Sequence, residues 1–312
     1  ASAKVKKNGR EGLTSTMGVL GAFVFAAQMI NFSIPGTGSS GHIIGGVLLA
    51  AILGPWAGFI TICSVLIVQC LVFADGGLMA LGCNILNMGA MSCLVAYPLI
   101  YRPIARGAAS PARIITASIA ACVVGLELGA LLVTVETQAS GITELPFGAF
   151  LSTMLLIHLA IGACEGVATG LVLTFVRKNS PSMLTEAPVQ QLSDAARRRR
   201  RTTLWVLGAV AVIFAVAFTW IASTNPDGLE WSVGRIAHSE ALGESITPVT
   251  AFIPDYDSYF AGIIGAIIVM ALLWAFSAIF FHRKREHCTV RNSLHNPPPT
   301  ALLLDKAIRL IH

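Results

Sequence analysis

The chain has 312 residues, of which 55% are hydrophobic and 12% are charged, and its mean hydropathy is +0.74. A soluble domain has roughly 25% charged residues, whereas several apolar segments here are long enough to cross a bilayer as helices, which takes about 20 residues. These values exclude a water-soluble fold. They predict an all-α polytopic integral membrane protein, a helical bundle with membrane lipid around it.

The net charge of +5 does not indicate a nucleic-acid partner, because the basic residues lie in short clusters beside apolar segments. Lys and Arg near span ends remain on the cytoplasmic side and so fix the orientation of the chain. The clusters are 4–10, Arg102 with Arg106, Arg177 with Lys178, 197–201 and 283–285. The arginine run 197–201 is compatible with an anionic-lipid or nucleic-acid patch, but a topology anchor is the simpler interpretation.

Six apolar segments in the first part of the chain are predicted to be spans. They are 16–32, 42–53, 56–73, 78–100, 113–135 and 147–176. Segment 42–53 is short for a crossing at about 1.5 Å per residue, and we expect His42 to begin its helix. Such a glycine-bounded segment is typical of a broken element that lines a cavity. A polar loop is predicted at 136–146.

Two further spans are predicted at 203–223 and 259–281. Alternating the spans under the positive-inside rule puts the loops with His42, Asp75 and 136–144 outside the cell and the C-terminus in the cytoplasm. We therefore expect four parts: a membrane module 1–178, a polar basic linker 179–202, a two-span module 203–283 and a cytoplasmic tail 284–312. The basic start of the chain also predicts a seventh span before it, which this sequence does not contain.

His42 is the strongest candidate for metal binding. It follows Ser40 and Gly41 on the predicted outer side, and an imidazole there suits Ni²⁺, Co²⁺ or Zn²⁺. Ser40 is a candidate for a polar residue that supports this ligand. A histidine that donates to loop carbonyls at a helix start fits the same pattern equally well.

Other polar residues within spans are functional candidates because such residues are costly in a membrane. His158 and Glu165 are predicted to share one helix face, where they form either a second cation site, a proton relay or a hydrogen-bonded structural pair. Glu127 has the same alternatives. Asn84 and Asn87, one turn apart, either orient a ligand or join helices.

Some chemistries have no support in the sequence. The cysteines include no CxxC pair, so neither disulfides nor a cysteine metal site is expected. The phosphate-loop motif GxxxxGK[ST] does not occur, which excludes ATP hydrolysis by that route. HExxH does not occur either, which counts against a zincin-type protease.

An ordered series of motifs resembles the CbiM/NikM substrate-binding (S) components of energy-coupling factor (ECF) ABC transporters for cobalt and nickel. The motifs are MGVLGAFVFAAQMINF from Met17, GH at Gly41, LGPWAG from Leu53, FADGG from Phe73 and NILNMG from Asn84. The second module resembles the small CbiN/NikN component. Its hallmark is the predicted outer loop with Pro226, Asp227, Gly228, Leu229 and Glu230.

The resemblance implies a planar set of nitrogen ligands. In the family, an N-terminal Met-His segment supplies an amine, a backbone amide and an imidazole, and a later histidine completes the set. His42 matches that later histidine, while the Met-His segment is not in this sequence. We therefore expect a truncated form of a longer chain.

The resemblance also implies high-affinity uptake of Ni²⁺ or Co²⁺, with nickel favoured, as transported substrate and not as catalytic cofactor. Its partners would be an ECF transmembrane coupling subunit and separate ATPase subunits in a bacterial or archaeal inner membrane. Two alternatives are a membrane-embedded enzyme that uses His158 and Glu165, and a scaffold subunit that binds no metal.

Overall fold

The computed structural model describes residues 12–107, 110–141, 145–185, 193–237 and 261–276. It is a bundle of helices with one small β-hairpin. In chain order the elements are α1 (Leu13–Gln28), β1 (Phe32–Ile34), β2 (Ser39–Gly41), α2 (Gly46–Leu53), α3 (Pro55–Phe73), α4 (Leu81–Ala105), α5 (Pro111–Ser140), α6 (Phe147–Asn179), α7 (Asp194–Ile221), α8 (Gly228–Ala237) and α9 (Ala261–Phe276).

Four helices within these ranges are long and apolar enough to cross a membrane, namely α3, α4, α5 and α6. Two shorter apolar helices, α1 and α9, accompany them. The prediction of an all-α polytopic membrane protein is therefore confirmed. The chain divides into two compact units, Ala1–Leu273 and Trp274–His312, and the site and the helices around it lie in the first. The predicted tail 284–312, the basic start 1–10 and linker residues 186–192 lie outside the described residues.

The short helix α2 is enclosed by the bundle, and each of its residues is buried. It begins at Gly46, so the prediction that His42 begins this helix is wrong; His42 lies in the preceding loop. Gly54 separates helix α2 from helix α3. Pro55 occupies the first turn of α3, where the N–H that proline lacks would have no partner within the helix. Thr185 holds the other end of α2, since its N and Oγ1 both donate to the Ala51 carbonyl at 3.0 and 2.8 Å.

Helices α5 and α6 form the longest pair in the bundle. Gly162, Gly166 and Gly170 of α6 pack directly against the backbone of α5, so the two helices approach closely. The helix α5 extends to Ser140, which makes Glu136 helical and corrects the prediction of a loop at 136–146. Within α4, Ile85–Tyr101 is wound as a π-helix.

Helices from the second half of the chain cover α1. The Phe23 ring of α1 lies 5.8 Å from the Phe214 ring of α7, and a Cβ at Gly18 would lie 3.9 Å from Met270 of α9. Arg200 of α7 donates to Thr16 Oγ1 at 2.7 Å. The predicted two-span module therefore packs on the same helix that leads into the β-hairpin.

Candidate metal site

His42 lies in a short loop between the β-hairpin and the buried helix α2. Strands β1 and β2 pair antiparallel, with Phe32 opposite Gly41 and Ile34 opposite Ser39. His42 comes directly after β2, and its side chain is partly buried. We call residues 42–45 the His42 loop. His42 is therefore partly accessible from the surface of the helical bundle.

Glu165 of α6 holds the end of the His42 loop. Its side chain is fully buried, and its carboxylate oxygens accept the N–H groups of Ile44 and Gly45, both at 2.9 Å. These are the backbone donors that precede α2, where the helix dipole also favours a negative charge. The buried carboxylate is thus compensated by directed donors, as a buried charge must be.

Two buried glutamines hold the opposite side of the same peptide segment. Gln28 Nε2 donates to the Ile44 carbonyl at 2.8 Å, and Gln69 Nε2 donates to Gln28 Oε1 at 2.9 Å. We call Glu165, Gln28 and Gln69 the inner clamp. Because they come from α6, α1 and α3, three helices together fix the backbone two residues after His42.

Glycines allow the hairpin and the His42 loop to approach these helices. Gly45 has φ +78°, which favours glycine, and a Cβ there would lie 2.8 Å from Val24 Cγ2 of α1. A Cβ at Gly41 would lie 2.5 Å from Ile161 Cγ1 of α6. A side chain at either position would push the loop away from the bundle.

Residues 225–231, here the PDGLE segment, start helix α8 with a reciprocal cap. Asp227 Oδ1 accepts the backbone N–H of Glu230 at 2.8 Å, while Glu230 Oε2 accepts the backbone N–H of Asp227 at 3.4 Å. This is a capping box, in which the residue before the helix and its third residue satisfy each other's donors. The motif's two acidic residues therefore have a local structural role.

The PDGLE segment lies against the hairpin that leads to His42. Ser40 N donates to the Pro226 carbonyl and Ser40 Oγ to the Asn225 carbonyl, both at 2.8 Å. Trp231 Nε1 donates to the Thr37 carbonyl at 2.9 Å. The two regions are nearly two hundred residues apart in sequence, and these contacts bring the predicted Ser40 candidate and the PDGLE segment to one place.

His158 lies at the same place. Its Nδ1 lies 2.7 Å from the Met154 carbonyl, and since a carbonyl only accepts, Nδ1 carries a proton and a neutral ring has Nε2 as its acceptor. A Cβ on Gly228 would lie 3.3 Å from His158 Cε1, and His42 and Asp227 lie within electrostatic range of the ring. His158, Glu165 and the PDGLE segment therefore lie around the hairpin and the His42 loop.

The remaining candidates make their described contacts elsewhere. Asn87 Nδ2 donates to Glu136 at 2.8 Å, and Asn84 Nδ2 donates to the Gly76 carbonyl at 3.5 Å. Glu127 has a carboxylate oxygen that is buried and without a hydrogen-bond partner among the described residues. Whether Asn84, Asn87 or Glu127 takes part in function stays a prediction.

The described ranges contain no group of three or more His, Cys, Asp or Glu side chains that could hold a metal ion. Around the His42 loop they offer imidazole nitrogens from His42 and His158. Nitrogen donors of this kind suit Ni²⁺, Co²⁺, Cu²⁺ and Zn²⁺ rather than Mg²⁺ or Ca²⁺.

Comparison with known proteins identifies the family. The model of the CbiM family, described as the cobalt uptake substrate-specific transmembrane region, matches residues 1–183, and the model of the PDGLE domain matches residues 201–282. The chain belongs to the CbiM family. The two matches cover both of the sequence regions that form the site, the His42 loop and the PDGLE segment.

Relatives of this CbiM-family protein include fused chains. A protein of Archaeoglobus fulgidus named as a fused nickel transport protein, NikMN, is 34% identical over 84% of this chain and 85% of its own. The fused nickel transport protein NikMN of Rhodobacter capsulatus is 32% identical over 82% of this chain and 74% of its own. The cobalt transport protein CbiM of Sorangium cellulosum is 26% identical over 58% of this chain and 80% of its own.

Membership of the CbiM family makes this chain a multi-pass membrane transport protein of metal uptake rather than an enzyme. The alternative of an intramembrane enzyme that uses His158 and Glu165 therefore has no support. The contacts of Glu165 agree with this, because both its oxygens are occupied by the backbone of the His42 loop.

Sequence reasoning missed two parts of the site in this CbiM-family protein. Gln69 was not a candidate, and Gln28 appeared only within a motif. A buried amide in an apolar helix was the available signal for both, since such a group needs a partner. Helix α8 was also missed, although the acidic residues three apart, Asp227 and Glu230, are a capping-box pattern.

Proposed function

We propose that this protein is the substrate-binding subunit for high-affinity Ni²⁺ uptake by an ECF-type transporter, with His42 as a metal ligand. One observation carries the proposal. His42 is partly buried in a loop that the inner clamp holds from the bundle side and the PDGLE segment meets through the hairpin. A ligand fixed in this way suits an ion that is selected by coordination geometry.

The preference for nickel has two supports. Two relatives that match more than four fifths of this chain bear names of fused nickel transport proteins. The planar nitrogen coordination that the family resemblance implies also favours Ni²⁺, because square-planar nitrogen sites suit Ni²⁺ or Cu²⁺. Cobalt is the second candidate substrate, as the names of the family and of the Sorangium cellulosum relative suggest.

The proposal includes partners and an orientation. Energy would come from separate ATPase subunits through a transmembrane coupling subunit, since this sequence has no phosphate loop of the GxxxxGK[ST] type. The His42 loop and the PDGLE segment would face the extracytoplasmic side, and the C-terminus the cytoplasm. Basic residues in the last turns of α4 and α6, Arg102, Arg177 and Lys178, support this orientation.

Uptake of radioactive Ni²⁺ and Co²⁺ tests the proposal. The full-length protein is produced with coupling and ATPase subunits in cells that lack other routes for these metals. We expect strong Ni²⁺ accumulation, weaker Co²⁺ accumulation and loss of both in His42→Ala. The matched control is Cys164→Ala, which changes an exposed side chain of α6 and should leave uptake intact.

Three results would contradict separate parts of the proposal. Stronger Co²⁺ than Ni²⁺ accumulation would reverse the choice of substrate. Uptake that persists without the ATPase subunits would contradict the ECF mechanism. Undiminished uptake by His42→Ala would remove His42 from the metal site.

A further inference from the structure

We propose that Gln28 and Gln69 are positioning residues that hold His42 in the geometry its metal requires; the inference rests on the proposed function. The hydrogen bonds of these two side chains go to the backbone and to each other, so we do not assign either side chain as a metal ligand. Gln28 and Gln69 have only 4% and 6% of their surface exposed, and they act in series on the carbonyl of Ile44.

The chain is held on both sides of His42. Before it, Ser40 donates to the Asn225 and Pro226 carbonyls. After it, the N–H of Ile44 is bound by Glu165 and the carbonyl of Ile44 by Gln28. Only Gly41, His42 and Ile43 lie between these fixed points, so the position of the His42 backbone follows from contacts that His42 does not make.

Glutamine suits this arrangement because both ends of its amide are used. Gln28 donates through Nε2 to Ile44 and accepts through Oε1 from Gln69. A glutamate at 28 would turn an acceptor toward the Ile44 carbonyl, and a methionine would leave that carbonyl without its donor. The two bonds also polarise each other in a buried site.

A fixed position of the His42 ligand should matter more for binding Ni²⁺ than for binding Co²⁺. Square-planar nitrogen coordination is diagnostic of Ni²⁺ and Cu²⁺, and selectivity among divalent metals comes from geometry and ligand type rather than raw affinity. Supporting residues that fix a ligand to within about 0.5 Å are needed for such selectivity. Removing the hydrogen bond to the Ile44 carbonyl should therefore reduce both the affinity for Ni²⁺ and the preference for Ni²⁺ over Co²⁺.

The test is calorimetric titration of the purified full-length protein with Ni²⁺ and with Co²⁺. The variants are Gln28→Met, Gln69→Met and His42→Ala, and the control is Gln138→Met, a change at an exposed glutamine of α5. We expect Ni²⁺ affinity to fall about tenfold in Gln28→Met, which removes both hydrogen bonds of the series, and about threefold in Gln69→Met, which removes one. The Ni²⁺-to-Co²⁺ affinity ratio should fall in the same order, and the control should match wild type.

The outcomes separate the inference from the proposed function. If neither wild type nor His42→Ala binds Ni²⁺ or Co²⁺, the proposed function and the inference are both contradicted. If wild type binds and His42→Ala does not, the proposed metal site stands, and glutamine variants with wild-type affinity and ratio overturn the inference alone. A lowered melting temperature with an unchanged ratio also overturns it, because a merely structural glutamine would behave in that way. Gln69→Met keeps the bond from Gln28 to Ile44, so it serves if Gln28→Met does not fold.

Discussion

The chain segments before and after His42 are held by contacts of different kinds. On the bundle side, the inner clamp uses three side chains that are at most 6% exposed. On the other side, the PDGLE segment offers the backbone carbonyls of Asn225 and Pro226, and both residues are exposed. The acceptors of the PDGLE segment belong to exposed residues, although their donor Ser40 is buried. Breaking the inner clamp, whose side chains are all buried, should therefore cost more free energy than breaking the contacts to the PDGLE segment.

The largest effect should come from Glu165→Ala. This substitution leaves the N–H groups of Ile44 and Gly45 buried without an acceptor. Each such group costs about 1–3 kcal/mol, so we expect the free energy of unfolding to fall by about 2–6 kcal/mol. The melting temperature of the purified protein in detergent measures it. The control is Glu127→Ala, because one oxygen of Glu127 is buried without a partner among the described residues. Equal losses in the two variants would mean that the inner clamp contributes nothing specific.

A smaller effect should come from Gly45→Ala, which tests the close approach of the loop to α1. Gly36 is the matched control, since both glycines have φ +78° but only at Gly45 would an added Cβ have a neighbour, Val24, within 4 Å. The left-handed conformation costs alanine about 1–2 kcal/mol at either site. Overpacking against Val24 should add about 1–3 kcal/mol at Gly45 alone. Thermal unfolding of the two variants measures this difference. Equal decreases in melting temperature for Gly45→Ala and Gly36→Ala would argue against the close approach of the His42 loop to α1.

The smallest effect should come from the PDGLE segment. Asp227→Ala removes the cap that accepts the Glu230 N–H, which should destabilise α8 by about 0.5–2 kcal/mol. Glu230→Ala should have less effect because its bond to Asp227 N is longer, at 3.4 Å. Hydrogen–deuterium exchange of the α8 amides measures both. Unchanged exchange in Asp227→Ala would contradict the capping role of this motif.

Much of the fold follows from the sequence because the bilayer restricts what an apolar chain can do. Segments such as 56–73 and 147–176 are long, apolar and bounded by polar residues, and the structure has α3 and α6 there. Helix ends were harder to predict. Ser140 ends α5 well inside the predicted loop, since polar residues such as Glu136 continue a helix once it leaves the apolar region.

The site was predicted only in part, for a physical reason. His42 and Ser40 could be selected because glycines and a lone imidazole mark an unusual loop. The bonds from Gln69 to Gln28 and from Gln28 to Ile44 join α3, α1 and the loop. Such tertiary contacts have no periodicity in one sequence. Glu165 was selected, but its binding to two backbone amides required knowing that α6 passes beside the His42 loop.

The most direct test of the central claim is Ni²⁺ binding by the purified full-length protein with each nearby histidine removed in turn. Calorimetry compares wild type, His42→Ala and His158→Ala. We predict that His42→Ala abolishes binding and that His158→Ala retains it, because only His42 matches the histidine that completes the family's ligand set. Retained affinity in His42→Ala, or loss in His158→Ala alone, would contradict the assignment of His42 as the metal ligand.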